Sequence, residues 1–287
     1  MDELTVVMKA REFIAQCGPV ALPVSVDAYA AQIGGVVKAD VLGESEDAWS
    51  FRDPKGKYRI CVNCAHNGRR QRFSVCHEVA HEALGIAADH TAPSWSFARR
   101  PQGEIACDIF AAELLLPHKL FKPRVDAADM NLAAVSDLAE EFDASLISTG
   151  SRFATFSREL CGFVLSEGGK VRYSARSTSL RDAKAWVRIG MDLPPNSYSS
   201  RVRAGGALTG PEEAEPDEWF DDWERDGALY EDVRHMGSWD QTLTLLWFED
   251  EDLPPPRAER NRWEEKTYGL RELDGELPWP GKSKRRR

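Results

Sequence analysis

The segment "RFSVCHEVAHEAL", residues 72–84, limits the folds open to this chain more than any other stretch. Read as a helix, it places His77 and His81, four residues apart, one above the other on a single face. Phe73, Val75, Val79, Ala80, Ala83 and Leu84 surround them, the apolar frame of a helix buried beneath a cleft. Two imidazoles on one face can hold one divalent cation, and zinc takes imidazole nitrogen readily. Glu78 projects about 100° around the helix from His77. That offset keeps it off the metal but within reach of a water beside it, the logic of H-E-x-x-H with Glu78 as general base. The plainer alternative is two histidines making ordinary hydrogen bonds on a helix surface.

A catalytic zinc needs a third protein ligand and an open position. A third histidine six residues past the second is excluded, because Ala87 stands there and Leu84 occupies the glycine position of that longer motif. His90 lies nine residues on, in a loop. A second helix, "GEIACDIFAAELLLP", offers Glu104, with Asp108 four residues later on the same face. Asp108 could hydrogen-bond a metal-bound histidine and fix its ring. Glu104 also reads as a first-turn carboxylate favoured by the helix dipole.

Around these two helices the pattern is mixed. "ELTVVMKAREFIAQ" and "SVDAYAAQIG" read as helices, the second capped by Ser25 or Asp27, and "GGVVKADVL" as a strand. "AWSFRDPKGKYRICVN" reads as a hairpin turning at Asp53, Pro54 and Gly56. "LAAVSDLAEEFD" and "SLISTGSRFATFSR" are amphipathic. After Leu160 the texture turns to strands: one hairpin around Glu167-Gly168-Gly169 and a second, "LYEDVRHMGSWDQTLTLLWFED", around Gly237. Residues 1–158, 159–255 and 256–287 are therefore expected to be a first domain with a helical continuation, a second mixed α/β domain, and a basic flexible tail.

Charge and cysteine usage narrow the function classes. The formal charge is −10, which argues against wholesale binding to phosphate backbones. Sixteen acidic residues crowd Pro211 to Asp252, whereas the chain closes on "KSKRRR". Direct nucleic-acid contact would fall to that tail or to the second domain. No apolar run approaches the ~20 residues of a membrane span, and the N-terminus lacks the build of a secretory signal. Six cysteines in a chain this long point to a reducing cytoplasm rather than a disulfide scaffold. "CVNC", residues 61–64, is a single C-x-x-C pair, a weak structural-metal signal. "KYRICVN" is expected to be the edge strand of the cleft, open to an extended peptide. Tryptophans 219, 223, 239 and 247 are expected in the second core.

"RFSVCHEVAH" followed by "EIACDIFAAELLLP" resembles the ImmA/IrrE family of bacterial and phage zinc metallopeptidases. That family pairs an R-F-[ST]-x-x-H-E-x-x-H helix with one of the form E-x-E-A-[ND]-x-F-A-A-x-L-L-M-P. The resemblance is strong over residues ~57–117, extends from the start to ~158, and does not cover the last 125 or so. It implies a mainly helical, zincin-like α+β domain with a small β-sheet edge, followed by the mixed α/β region, sensor-like and regulatory by analogy. It implies one zinc ion held by His77, His81 and Glu104, with Glu78 catalytic and Asp108 on the family's Asn/Asp position. It also implies the substrate class, a helix-turn-helix transcriptional repressor cut in a stress, phage or defence response. A non-enzymatic regulator that keeps the fold and binds a partner is the rival reading.

Two positions depart from the family. Ala106 replaces a common glutamate, and Cys107 replaces a small alanine. Cys107 lies three residues after Glu104, on nearly the same helix face. A thiolate there could occupy the open metal position and inhibit the enzyme; a small buried cysteine filling an alanine-sized space is the alternative. Tyr58, Arg72 and His118 are candidates to stabilise an oxyanion.

Overall fold

The computed structural model describes residues 1–43, 46–87, 101–221, 223 and 227–249. Side-chain caps start seven of its described α-helices, whereas the other three have none. Asp2 accepts from Thr5 N at 2.9 Å to open α1 (Glu3–Gln16), and Ser25 does the same for α2 (Val26–Gln32). Val6, Ala10 and Phe13 form the buried stripe of α1 and pack on a later helix through Phe110, whose ring meets Phe13 edge-on at 5.7 Å.

The first sheet holds β1 (Gly35–Asp40), β2 (Ala48–Arg52) and β3 (Tyr58–Asn63), in the order β1-β3-β2. The hairpin read from the sequence is β2–β3, paired antiparallel from Ala48↔Val62 to Arg52↔Tyr58. The strand expected at the edge is instead the centre, because β1 pairs parallel to β3 along its whole length. Among the described residues the free edge of the sheet beside the motif helix belongs to β2. A hairpin pattern reveals its own two partners but not a parallel strand arriving from further back in the chain.

Helix α3 (Gly68–Leu84) begins where Asn67 accepts from Arg70 N and ends at Gly85, whose φ of 66° makes the left-handed cap that glycine adopts without strain. Ser74 through His81 are buried without a break, since the sheet lies on one side of this helix and α2 and α4 (Gln102–Leu115) on others. Four further helical faces close the first core. These belong to α1, α5 (His118–Val125), α6 (Leu132–Glu141) and α7 (Leu146–Phe156).

The second sheet is antiparallel, with β5-β4-β8-β7-β6 as its order and β4 (Cys161–Glu167) and β8 (Gln241–Phe248) near its middle. Both expected hairpins are present, β4 with β5 (Lys170–Arg176) and β7 (Leu229–Met236) with β8. The period of two divides its strands between two cores. Phe163, Leu165, Leu243, Leu245 and Trp247 join the core of the helices, whereas Val164, Leu246 and Phe248 pack against Trp219 and Phe220 on the other side. Gly150 permits the first contact, because a Cβ there would lie 2.3 Å from the Phe163 ring. Residues before and after the chain's change of texture thus share one hydrophobic core.

Three helices, α8 (Thr178–Asp182), α9 (Tyr198–Arg203) and α10 (Pro216–Trp219), and the short β6 (Glu212–Ala214) complete the second half. Trp219 is in the second core and Trp223 packs against it, as expected, whereas Trp247 joins the core of the helices. Trp239 is 66% exposed, because it sits in the turn between β7 and β8. Its neighbours in sequence pair with each other and leave the tip to solvent. The basic tail lies outside the described residues.

Candidate metal centre

Helices α3 and α4 pack side by side and bring three ligating side chains to one point. His77 Nε2 lies 3.1 Å from His81 Nε2 and 3.1 Å from a Glu104 oxygen; His81 Nε2 lies 3.5 Å from the other Glu104 oxygen. A tetrahedral ion with ligands at about 2.0–2.1 Å separates neighbouring ligand atoms by about 3.3 Å. The observed spacings fit that requirement. Among the described residues, His77, His81 and Glu104 form the one group of three side chains suited to a metal ion, and all three are buried. Glu104 is also in the first turn of α4, where the helix dipole favours a carboxylate.

The outer nitrogens fix the rings. His77 Nδ1 meets Asp108 Oδ1 at 2.9 Å, and His81 Nδ1 donates to the Ile86 carbonyl at 3.1 Å. Both bonds leave Nε2 directed at Glu104, the role expected of Asp108. Burial disfavours charge on His77, but the carboxylates of Asp108 and Glu104 outweigh it and raise its pKa to about 9. Burial and the neighbouring His77 lower that of His81. The pocket therefore draws positive charge to itself, and a divalent cation answers the same demand.

Glu78 is 1% exposed and follows His77 on the adjoining face of α3. Its carboxylate accepts from Ser50 Oγ on β2, and its main-chain carbonyl lies 3.2 Å from Tyr58 Oη. Ser50 was not singled out from the sequence. Its signal was the alternation of β2, in which a lone serine sits between Ala48 and Arg52 on one face while Trp49 and Phe51 take the other.

The remaining candidates are placed elsewhere. Cys107 is fully buried, with Sγ 3.6 Å from Nδ1 of His81, the nitrogen opposite the one that faces Glu104. Arg72 reaches the Val24 and Asp143 carbonyls and ties α3 to the loop after α6. His118 stacks edge-on against Phe156, and its backbone N–H donates to Glu113. Tyr58 Oη is engaged with Ser50 and the Glu78 carbonyl. Cys61 pairs across from Trp49 within the sheet and Cys64 is exposed after it; neither enters a metal group among the described residues. His90 lies outside the described residues. No helix among the described residues is long and apolar enough to cross a membrane.

Residues 36–153 match the family model of peptidase family M78, described as the IrrE N-terminal-like domain. The matched segment runs from β1 to α7 and contains every residue of the centre. The fold of the chain resembles that of a Mycobacterium tuberculosis transcriptional regulator. Identity is 13%, coverage is 85% of this chain and 76% of that one, and the TM-score is 0.54. No curated protein matches the chain.

Proposed function

With residues 36–153 belonging to the IrrE N-terminal-like family, we propose that the chain is a zinc-dependent endopeptidase. The observation that carries this reading is the convergence of His77, His81 and Glu104 on one point, with Glu78 beside them. A peptide-binding module needs none of these four side chains. His77, His81 and Glu104 would hold the ion, which supplies Lewis acidity toward the scissile carbonyl and toward water. Glu78 takes the proton of the attacking water on a carboxylate oxygen and returns it to the departing amine nitrogen. Asp108 and the Ile86 carbonyl hold the two imidazoles in the tautomer whose Nε2 carries the ligating lone pair.

The substrate in this reading is a helix-turn-helix repressor and the compartment the cytoplasm, where the six cysteines remain free thiols. A non-enzymatic regulator is the second reading, favoured by the burial of His77, Glu78, His81 and Glu104. Glu78→Gln separates the two. Zinc content measured by elemental analysis should stay at the wild-type level, while cleavage of a helix-turn-helix repressor should fall about 10²–10⁴-fold. Undiminished cleavage by this variant would rule out the mechanism.

A further inference from the structure

We propose that Ser50 is a positioning residue for Glu78, backed by Tyr58, so that the edge strand of the first sheet sets the general base. The inference rests on the peptidase reading and adds a part of the machinery outside both metal-binding helices.

The register of the hairpin builds the arrangement. Ser50 faces Ile60 across β2–β3 and Tyr58 faces Arg52, so Ser50 and Tyr58 are diagonal neighbours on the same face of the sheet. That face is the one packed on α3. Ser50 Oγ donates to Glu78 Oε2 and lies 2.6 Å from Tyr58 Oη, which in turn is 3.2 Å from the Glu78 carbonyl. The guanidinium of Arg52 stands over the Tyr58 ring at 5.6 Å and closes the outer side.

Proton accounting explains why two hydroxyls suit this position. A hydroxyl carries one proton and accepts on its lone pairs. While Glu78 is a carboxylate, Ser50 donates to it and Tyr58 donates to Ser50. Once Glu78 has taken a proton on Oε2, it can donate to Ser50 Oγ, Ser50 to Tyr58 Oη, and Tyr58 to the Glu78 carbonyl. Two O–H bonds rotate and no proton leaves the chain of groups. An ammonium or guanidinium in place of Ser50 could serve the carboxylate alone, because it cannot accept. The buried carboxyl of Glu78 therefore keeps a partner, at one fixed position, before and after the proton transfer.

The test compares Ser50→Ala, Ser50→Thr and Tyr58→Phe, each with zinc stoichiometry by elemental analysis and steady-state cleavage of a helix-turn-helix repressor. Ser50→Ala should lower kcat about 10–100-fold, the loss expected of one hydrogen bond to a charged group, with KM and bound zinc unchanged. Ser50→Thr, which keeps the hydroxyl, should recover most of kcat. Tyr58→Phe should lower kcat by less than Ser50→Ala, because it acts one bond further away. Wild-type kcat in Ser50→Ala, equal losses in the Ala and Thr variants, a change confined to KM, or loss of zinc would each overturn the inference. Failure of the underlying reading looks different: Glu78→Gln would then cleave as well as wild type.

Discussion

Glu104 and Glu231 are buried carboxylates in the two halves of the molecule, and their surroundings differ in kind. Glu231, on β7, accepts from Trp219 Nε1 at 2.6 Å and from the backbone and hydroxyl of Ser199 at 3.0 Å each. These partners are obligate or willing donors, and they also hold α9 and α10 on the sheet. Glu104 faces the Nε2 atoms of two imidazoles, each able to offer a lone pair. Lone pairs converging on a carboxylate repel unless a proton or a cation sits between them. A third case, Glu113, is matched by the guanidinium groups of Arg11 and Arg152. Burial of a carboxylate therefore does not mark a site; the chemistry of what it faces does.

The comparison breaks most sharply under paired substitutions. Glu104→Ala should abolish stoichiometric zinc binding, read by elemental analysis, with little effect on the second sheet. Glu231→Ala should leave zinc stoichiometry intact but lower unfolding stability by about 3 kcal/mol, since it orphans a buried indole N–H and the donors of Ser199. Zinc loss in the second variant, or retention in the first, would erase the distinction. A smaller effect follows for Asp108→Ala. It removes the partner of His77 Nδ1 while keeping all three ligands, and should weaken zinc about 10–100-fold in a competition titration with a chromogenic chelator.

The two halves also differ in how much of them could be read from the chain. The clustering of the candidate site was legible because helical spacing is geometric: residues four apart must share a face, so His77 with His81 and Glu104 with Asp108 announced themselves. Pairing two such helices needed the family resemblance, since no local rule says which helix faces which. Ser50 was not legible, because its role depends on the register of β2 against β3 and on which face α3 covers. Cys107 showed the limit of helical spacing. Three residues after Glu104, it shares a face on paper, yet its sulfur lies at the back of His81. In the second half β4, β5, β7 and β8 were plain from their apolar runs and glycine turns, whereas the three-residue β6 was missed. The short helices α8 and α9 were missed, because five and six residues carry too little periodicity to stand out. The Glu231 network was invisible for the same reason as Ser50, since Ser199 lies 32 residues and Trp219 12 residues from Glu231 along the chain.

A pH series on Glu231→Gln sharpens the contrast with the smallest effect. Burial raises the Glu231 pKa above its ordinary 4.5, against the lowering effect of its hydrogen bonds from Trp219 and Ser199. A carboxyl raised in the folded state binds more protons there than in the unfolded chain, so its contribution is fully present below about pH 4.5 and is lost as pH climbs through the folded value. Glutamine at 231 has no such proton to lose. Titration of the metal centre is common to both proteins and cancels in their difference. The stability of wild type minus that of Glu231→Gln, from urea unfolding at successive pH values, should therefore be largest in acid and decline toward neutrality. A difference that stays flat, or rises with pH, would mean that the three donors outweigh desolvation. Glu231 would then be a carboxylate stabilised by its charge, closer in kind to Glu113 than the geometry of its donors indicates.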